Sequence, residues 1–302
     1  AIVTIDTKRK AIQHMTGGIV RRVAVREGQH VGEGDVLVEL DDGLARANHE
    51  SVRQDYMARR AMESRLIAEV EGSPKISFHR DLLALDGDPV IQQHIRTQIQ
   101  LFESRRLAFL TEISSMDEAI AGQEGVLSGL KLQLDSRNQQ LQKHGEQLKI
   151  THELALSGFV SRNQVLQLEQ SHAEINASLA EINGSKLRTE RTIAELKLRR
   201  SQRRMEALKE STEKLAEIRR DIQAGRERLD AATAELGRLR IKAPVKGQVI
   251  GLTIASVGGI VAPGQTLMSI VPEGERVVLE ARIPTSIIDR VHADDPVALR
   301  FS

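Results

Sequence analysis

The chain has 302 residues and a formal net charge of +1, and 28% of its residues are charged while only 2% are aromatic. This balance of charge provides no strong field for nucleic acid, and so few large rings disfavour one compact domain of this length. Cysteine is absent, which excludes disulfides and cysteine-based metal sites.

A short β motif lies near the start of the chain, at residues 14–42, and returns at residues 241–274. In both copies apolar and polar residues alternate and glycines interrupt the run, as in short strands joined by tight turns. Five positions recur at a constant offset: Gly28, Val31, Gly34, Leu37 and Leu40 return as Gly258, Val261, Gly264, Leu267 and Ile270. Because neither copy can bury its apolar face alone, we expect the two to pair in one β-sandwich.

Six glycines of the two copies are predicted structural turn residues, at positions that need a positive φ or a close approach of the backbone. They are Gly18, Gly28 and Gly34 in the first copy and Gly247, Gly258 and Gly264 in the second.

Between the copies, residues 43–240 have the pattern of a helical hairpin. A first helix is predicted over about residues 43–70, and it ends where Gly72 and Pro74 interrupt the pattern. A linker follows, with a turn signal at Asp86–Pro89.

A second helix is predicted over about residues 90–156, because seam residues recur there at alternating steps of three and four. The seam contains Ile99, Phe102, Arg106, Phe109, Ile113, Met116, Ile120, Gln123, Leu127, Leu130, Leu134, Arg137, Leu141, His144 and Leu148. Such a heptad seam packs against a partner helix as a left-handed coiled coil. Its polar members, together with Lys186 on the returning helix, set the register, face a neighbouring subunit, or are simply tolerated by a thin two-helix seam.

The chain is predicted to reverse at Ser157–Asn163. Gly158 suits the left-handed backbone conformation that ends a helix, and Ser161 suits a helix N-cap. A third helix follows over about residues 162–239. Its heptad phase slips around residues 200–205. We interpret the slip as the place where its partner changes from the second helix to the first.

The two ends of the chain, residues 1–13 and 275–302, alternate like strands and are predicted to form part of a second β domain. A short helix or turn is expected at Thr285–Val291. The longest uncharged stretch, residues 248–272, contains glycine and proline pairs, so it reads as strands and turns rather than a membrane span. With Ala1 inside a strand-like run, we expect a soluble piece of a longer protein.

These residues carry a resemblance to the periplasmic adaptor proteins, or membrane fusion proteins, of the HlyD type that serve type I secretion. The string RKAIQHMTGGIVRRVAVREGQHVGEGDVLVELDD resembles the first half-lipoyl motif of that family, and IKAPVKGQV with VGGIVAPGQTLMSIVPEG resembles the second. The resemblance implies an α+β fold: a split lipoyl-like β-sandwich with a long inserted α-helical coiled-coil hairpin and part of a second β domain.

The resemblance also implies the function. Such an adaptor joins an inner-membrane ABC transporter to an outer-membrane TolC-like channel and serves the export of protease, lipase or toxin cargo. It implies a homo-oligomer, a hexamer in this family, in the periplasmic region of a protein anchored in the inner membrane by a helix that this chain lacks. No nucleic acid, cofactor, metal or catalytic residue is expected.

The hairpin tip is the predicted partner-docking site, with Leu154, Gly158 and Ser161. Leu154 and Ser161 have the spacing of a Leu–Ser pair that, in the related drug-efflux adaptors, docks on the channel together with an arginine. The arginine position of that motif falls on Ile150 here, and Lys149 lies one residue away. The competing interpretation is structural: Ser161 caps a helix and Leu154 fills the last seam layer.

Two other functions compete with export of proteins. One is an adaptor of a tripartite drug-efflux pump, whose hairpin is usually shorter and lacks the extra first helix. The other is a lipoyl or biotinyl carrier, but the hairpin replaces the β-turn that would present the modified lysine. Enzymatic sites are weaker still: the nine histidines lack zinc-ligand spacing, Asp41–Asp42 suit a helix cap better than an acid/base pair, and Asp86–Asp88 has too few ligands for calcium.

Overall fold

A computed structural model describes residues 2–4, 9–85, 87–254, 256–273 and 278–280 of the chain. The described strands are β1 (Ile2–Thr4), β2 (Lys10–Gln13), β3 (Gly18–Val23), β4 (His30–Val31), β5 (Val36–Leu40), β6 (Arg240–Lys242), β7 (Gly247–Ile250), β8 (Ile260–Val261), β9 (Thr266–Pro272) and β10 (Val278–Glu280). The described helices are α1 (Gly43–Glu71), α2 (Arg80–Leu83), α3 (Pro89–Leu156) and α4 (Arg162–Arg238). The chain divides into two units, residues 1–53 with 225–302 and residues 54–224.

The first unit contains a β-sandwich in which the two sequence copies are interleaved. One antiparallel sheet has the strand order β2-β9-β7-β4 and the other has the order β6-β5-β3-β8, so each sheet takes strands from both copies. Apolar side chains of both sheets form one buried cluster. The three recurring apolar positions are buried in both copies: Val31 and Val261, Leu37 and Leu267, and Leu40 and Ile270. The expected β-sandwich of two paired copies is therefore confirmed.

The edge of the sandwich differs from the predicted boundary at residue 13. Strand β2 pairs with β9, and Ile12 is buried in the sandwich core. Residues 10–13 therefore belong to the sandwich and not to the second β domain. Without β2, the backbone N–H and C=O groups along that edge of β9 would lack partners in the sheet. The part of that second domain that the structure describes is the antiparallel pair β1–β10, while the turn expected at Thr285–Val291 lies outside the described residues.

The predicted linker contains a short helix, α2, that the sequence pattern did not indicate. The His79 side chain accepts a hydrogen bond from the Asp81 backbone N–H at 3.3 Å, and Leu82 is fully buried. A four-residue helix with one apolar anchor is too short to show a helical period. The start of α3 follows from its cap, since the Asp88 side chain accepts the N–H of Val90 and Pro89 occupies the first turn.

The helical unit, residues 54–224, has the seam that the heptads predicted. Buried seam residues include Ile113 and Ile120 on α3 and Leu179 and Ile193 on α4. Ion pairs flank this seam between the two helices: Arg203–Glu112 at 2.8 Å, Lys197–Glu124 at 2.7 Å, and Arg200–Asp117. Because long side chains on opposite helices can pair in only one alignment, these flanking pairs favour one register.

Three polar residues inside the seam, Arg137, Lys186 and His144, do not pair with the opposite helix among the described residues. Arg137 donates to Gln140 of its own helix at 2.8 Å, and Lys186 lies 3.7 Å from Glu190, also on its own helix. His144 has a buried Nδ1 without a hydrogen-bond partner in the described structure. These contacts favour tolerance of Arg137, Lys186 and His144 over a register role, whereas Arg106 donates to the Pro74 carbonyl of another segment at 3.2 Å.

The polar contacts of α4 change from α3 to α1 along its length. Arg105 of α3 pairs with Glu210 at 2.8 Å, whereas the Ser211 hydroxyl donates to Glu69 of α1 at 3.0 Å. Further along α4, Asp221 pairs with Arg59 of α1 at 2.5 Å. The change occurs at Glu210–Ser211, a few residues beyond the phase slip at residues 200–205 where it was expected.

The Arg105–Glu210 pair predicts a small acid sensitivity of this unit. The hydrogen bond from Arg105 lowers the pKa of Glu210 below its ordinary value of 4.5. The charged form is favoured in the folded state, so its contribution to the free energy of unfolding is present above about pH 4.5 and is lost as the pH falls through the lowered pKa. We expect Glu210→Gln to lower the melting temperature by about 1–3 °C at neutral pH and to have no effect in strong acid. Circular dichroism at the two pH values measures this, and an equal effect at both would contradict it.

Candidate functional site

The tip of the hairpin is closed by a glycine turn of defined geometry. Helix α3 ends at Leu156, and Gly158 adopts a φ of 81°. The Gly158 N–H donates to the Ala155 carbonyl at 3.1 Å, and the Phe159 N–H donates to the Leu154 carbonyl at 3.0 Å. These two hydrogen bonds are those of a Schellman motif, which only a residue tolerant of positive φ closes without strain. The turn therefore presents the next residues in a fixed conformation.

Ser161 is the residue before α4 and is a weak N-cap of that helix. Its hydroxyl oxygen accepts from the Gln164 backbone N–H at 3.4 Å, and the same hydroxyl lies 3.4 Å from the Gln164 side-chain oxygen. Both distances are long for hydrogen bonds. Because Ser161 is also exposed, its hydroxyl is accessible to a partner.

The apolar side chains at the tip are exposed to very different extents. Leu154 is 42% exposed, Leu156 is 79% exposed and Phe159 is 80% exposed. The buried residue nearest the turn in sequence is Val165, which follows the turn on α4, whereas Leu154 on α3 is not buried. Sequence reasoning missed Leu156 and Phe159, although an aromatic residue next to a turn glycine in an aromatic-poor chain was a usable signal.

Two basic residues, Lys149 and Arg162, flank this apolar tip in the sequence. Lys149 and Arg162 have no carboxylate within ion-pair distance among the residues that the structure describes. Ile150, at the place of the arginine in the related docking motif, is exposed. The positive charge of the tip therefore comes from its neighbours in sequence and from the start of α4.

The predicted turn glycines of the β-sandwich fall into two groups. Four have positive φ at turns: Gly28 at 77°, Gly34 at 86°, Gly258 at 86° and Gly264 at 75°. An added Cβ would meet open space at Gly34, Gly258 and Gly264 and would only touch the Gln248 side chain, at 3.9 Å, at Gly28. The other two begin strands rather than turns. Gly18 starts β3 with a φ of 150°. Gly247 starts β7, where a Cβ would lie 2.2 Å from the Val271 carbonyl oxygen, so this glycine is required by close backbone approach.

The acidic pair Asp41–Asp42 anchors the start of α1. The Asp41 side chain accepts from the Gly43 N–H at 3.0 Å. Asp42 pairs with Arg46 at 2.6 Å and Arg21 at 2.7 Å, and the hydrogen bond from Arg46 is the largest cause of its lowered pKa. A carboxylate that is held charged by two guanidinium groups is a structural anion and not a proton donor.

In the described residues, no three His, Asp or Glu side chains lie close enough to share a metal ion. The helical unit has a cavity of about 440 Å³ at the end of α1, lined by Phe102, Phe109, Arg105 and Arg203 among others. Two of its four arginines, Arg105 and Arg203, form ion pairs with Glu210 and Glu112 across the helices, so these side chains serve helix packing.

Within the part of the chain that the structure describes, no helix combines the length and the hydropathy needed to cross a membrane.

Comparisons with known proteins identify relatives of the whole chain. A family model described as AprE, long alpha-helical hairpin, matches residues 45–235. The chain is 34% identical to the alkaline protease secretion protein AprE of Pseudomonas aeruginosa, with all of this chain and 70% of the relative aligned. It is 32% identical to the type I secretion system membrane fusion protein PrsE of Rhizobium meliloti, with all of this chain and 69% of the relative aligned.

Solved structures show the same fold. The soluble domain of LipC, a membrane fusion protein of a type I secretion system, superposes with a TM-score of 0.83 at 34% identity, covering 88% of this chain and all of that chain. The periplasmic adaptor protein EmrA superposes with a TM-score of 0.60 at 14% identity, covering 90% of this chain and 74% of that chain, which shows a shared fold alone.

Proposed function

Because this chain belongs to the AprE family of type I secretion membrane fusion proteins, we propose that it joins an inner-membrane ABC transporter to an outer-membrane TolC-like channel. The cargo is a secreted protein of the protease, lipase or toxin kind, and the relative AprE is itself an alkaline protease secretion protein. The observation that carries this proposal is the hairpin of α3 and α4, which ends in an exposed apolar tip. The relatives favour protein export over drug efflux and over a lipoyl or biotinyl carrier.

The parts of the chain have separate roles in this proposal. The β-sandwich of residues 14–42 and 241–274, with β2 at its edge, holds the two ends of the hairpin together. The hairpin of residues 43–240 presents the docking tip to the channel. The ends of the chain outside the sandwich, residues 1–9 and 275–302, contribute to a membrane-proximal β domain. The chain works in the periplasm as part of a protein that is anchored in the inner membrane.

The adaptor works as a homo-oligomer, with six copies by resemblance to its family. Large apolar side chains along the hairpin are exposed, for example Leu107, Leu110 and Leu198. Exposed apolar residues that recur along a helical surface favour contact with another protein, here neighbouring copies. The work of the adaptor is mechanical, and no residue has a catalytic role.

Docking and capping at the tip are separated by Ser161→Asp and Leu154→Ser. Aspartate caps helices about as well as serine, so the first change leaves the hairpin folded. It also introduces a charge where a partner helix packs, and burying an unpaired charge is costly. The second change removes an apolar contact from the joint but not from the buried seam. We expect both variants of the full-length adaptor to accumulate normally, to bind the exporter and to leave the cargo unsecreted.

The measurements are the amount of cargo in the medium and the yield of crosslinks between the tip and the channel. Leu132→Ser, at another exposed leucine of the same helix, is the matched control and keeps secretion. If folded Ser161→Asp and Leu154→Ser variants both secrete at the normal rate, the tip is not the docking surface. Copurification of the full-length adaptor with an ABC exporter tests the other end of the proposal.

A further inference from the structure

The tip carries an aromatic side chain, Phe159, that is not packed in the interior of the fold. The chain has five Phe, one Tyr and no Trp. Among the described residues, Tyr56 and Phe102 are buried and Phe78 and Phe109 are half-buried, whereas Phe159 is 80% exposed. An exposed phenylalanine costs free energy in water, which is regained only when another surface covers the ring.

The turn geometry makes this exposure informative. In a Schellman motif the residue after the glycine commonly packs against the residue five positions earlier. Here those residues are Phe159 and Leu154, linked by a 3.0 Å backbone hydrogen bond, yet the ring stays exposed and Leu154 is partly exposed as well. The motif therefore fixes the backbone of Phe159 without burying its side chain. A partner that covers the ring has little backbone to order on binding.

The surroundings of the ring define the chemistry of that partner. Leu154, Leu156 and Ile150 are exposed apolar neighbours on α3. Lys149 and Arg162 are basic and have no carboxylate partner among the described residues, and Glu153 is the one acidic residue between them in sequence. A surface with an apolar centre and a basic edge is complementary to an apolar pocket with carboxylates at its rim.

We propose that Phe159 is the anchor residue of the docking tip, and that it inserts into an apolar pocket of the outer-membrane channel whose rim is acidic. This inference rests on the proposed function of the tip. Aromatic residues at the centre of an interface are the ones that most often dominate its binding free energy. Lys149 and Arg162 then guide the tip to the rim and contribute less to its retention.

The test uses the full-length adaptor in cells that contain its exporter and channel. A photoreactive amino acid at the exposed Asn163 reports contact between the tip and the channel. We expect Phe159→Ala to lower the yield of this crosslink and the amount of secreted cargo by about tenfold or more. Phe159→Tyr retains most of both, because it keeps the ring. Arg162→Glu has an intermediate effect, since it places a negative charge against an acidic rim.

Leu187→Ala, at an exposed leucine of α4 away from the tip, is the matched control and leaves both readouts unchanged. Circular dichroism of the purified chain should be the same for Phe159→Ala and the unmodified chain, because the ring is not packed in the fold. If Phe159→Ala stays within about twofold of the unmodified adaptor while Leu154→Ser and Ser161→Asp lose secretion, the anchor assignment is wrong and tip docking stands. If all three variants secrete normally, tip docking itself fails. An unchanged or higher crosslink yield for Arg162→Glu would overturn the acidic rim.

Discussion

Gly247→Ala is expected to destabilise the β-sandwich by about 3 kcal/mol or more, a larger effect than the same change at any turn glycine of that sandwich with open space around it. A Cβ on Gly247 would lie 2.2 Å from the Val271 carbonyl oxygen and 2.8 Å from the Ile270 side chain. The obstacle is backbone of β9, which pairs with β7 at this point through Gly247 and Pro272. The clash can be relieved only if the two strands separate.

Gly258→Ala is the matched control for this prediction. Gly258 has a φ of 86° and no atom within 4 Å of the added methyl group, so the cost is conformational strain alone, about 1–2 kcal/mol. Chemical denaturation gives the difference in the free energy of unfolding, and hydrogen exchange of the β9 amides assigns it to the sandwich. Equal losses at the two positions would show that β7 and β9 do not approach as closely as the structure has them.

Ile120→Asp is expected to destabilise the hairpin by about 3–5 kcal/mol and to lower its melting temperature by about 10 °C. Ile120 is 4% exposed in the seam between α3 and α4. The neighbouring cations are already committed, since Arg200 pairs with Asp117 and Lys197 pairs with Glu124. The new carboxylate would therefore be buried without a partner, or the two helices would separate.

The control is Leu132→Asp on the same helix. Leu132 is 71% exposed, so the same aspartate remains hydrated and should change the free energy of unfolding by no more than about 0.5 kcal/mol. Leu127→Asp, at a half-buried seam position, should lie between the two. Thermal denaturation followed by circular dichroism ranks the three variants. A ranking that does not follow burial would contradict the heptad assignment of α3.

The sequence predicted the hairpin well because its signal is local and periodic. Apolar residues at steps of three and four locate a helix and its buried face together. The predicted helices at about residues 43–70, 90–156 and 162–239 compare with Gly43–Glu71, Pro89–Leu156 and Arg162–Arg238 in the structure. The ends are sharp because Asp88, Pro89 and Gly158 terminate helices by their own backbone and capping chemistry.

The repeated β motif determined the sandwich for a related reason. Two half-domains with matching buried positions, such as Leu37 with Leu267, have only each other as a partner within one chain. The repeat does not predict which strand lies at the edge of the sheet. Strand β2 precedes the first copy and pairs with β9 of the second copy, so the two paired strands are separated by most of the sequence. Nothing in the local pattern of residues 10–13 distinguishes that partner from β10.

The docking tip shows the same division between local and tertiary information. The sequence identified Gly158 as the helix stop and Ser161 as the cap, because both act on backbone groups within a few residues. It did not show that Phe159 is exposed, since exposure depends on whether another segment covers the ring.

By itself, then, the sequence determined the helices, their seam, the paired β copies and the family to which the motifs belong. The tertiary structure alone decided that β2 completes the sandwich, that Gly247 is required by the backbone of β9, and that α4 changes its polar partner at Glu210–Ser211. The physical reason is the range of the interactions. Periodicity, capping and φ preference are set by neighbours along the chain, whereas strand pairing, close backbone approach and exposure depend on residues that only folding brings together.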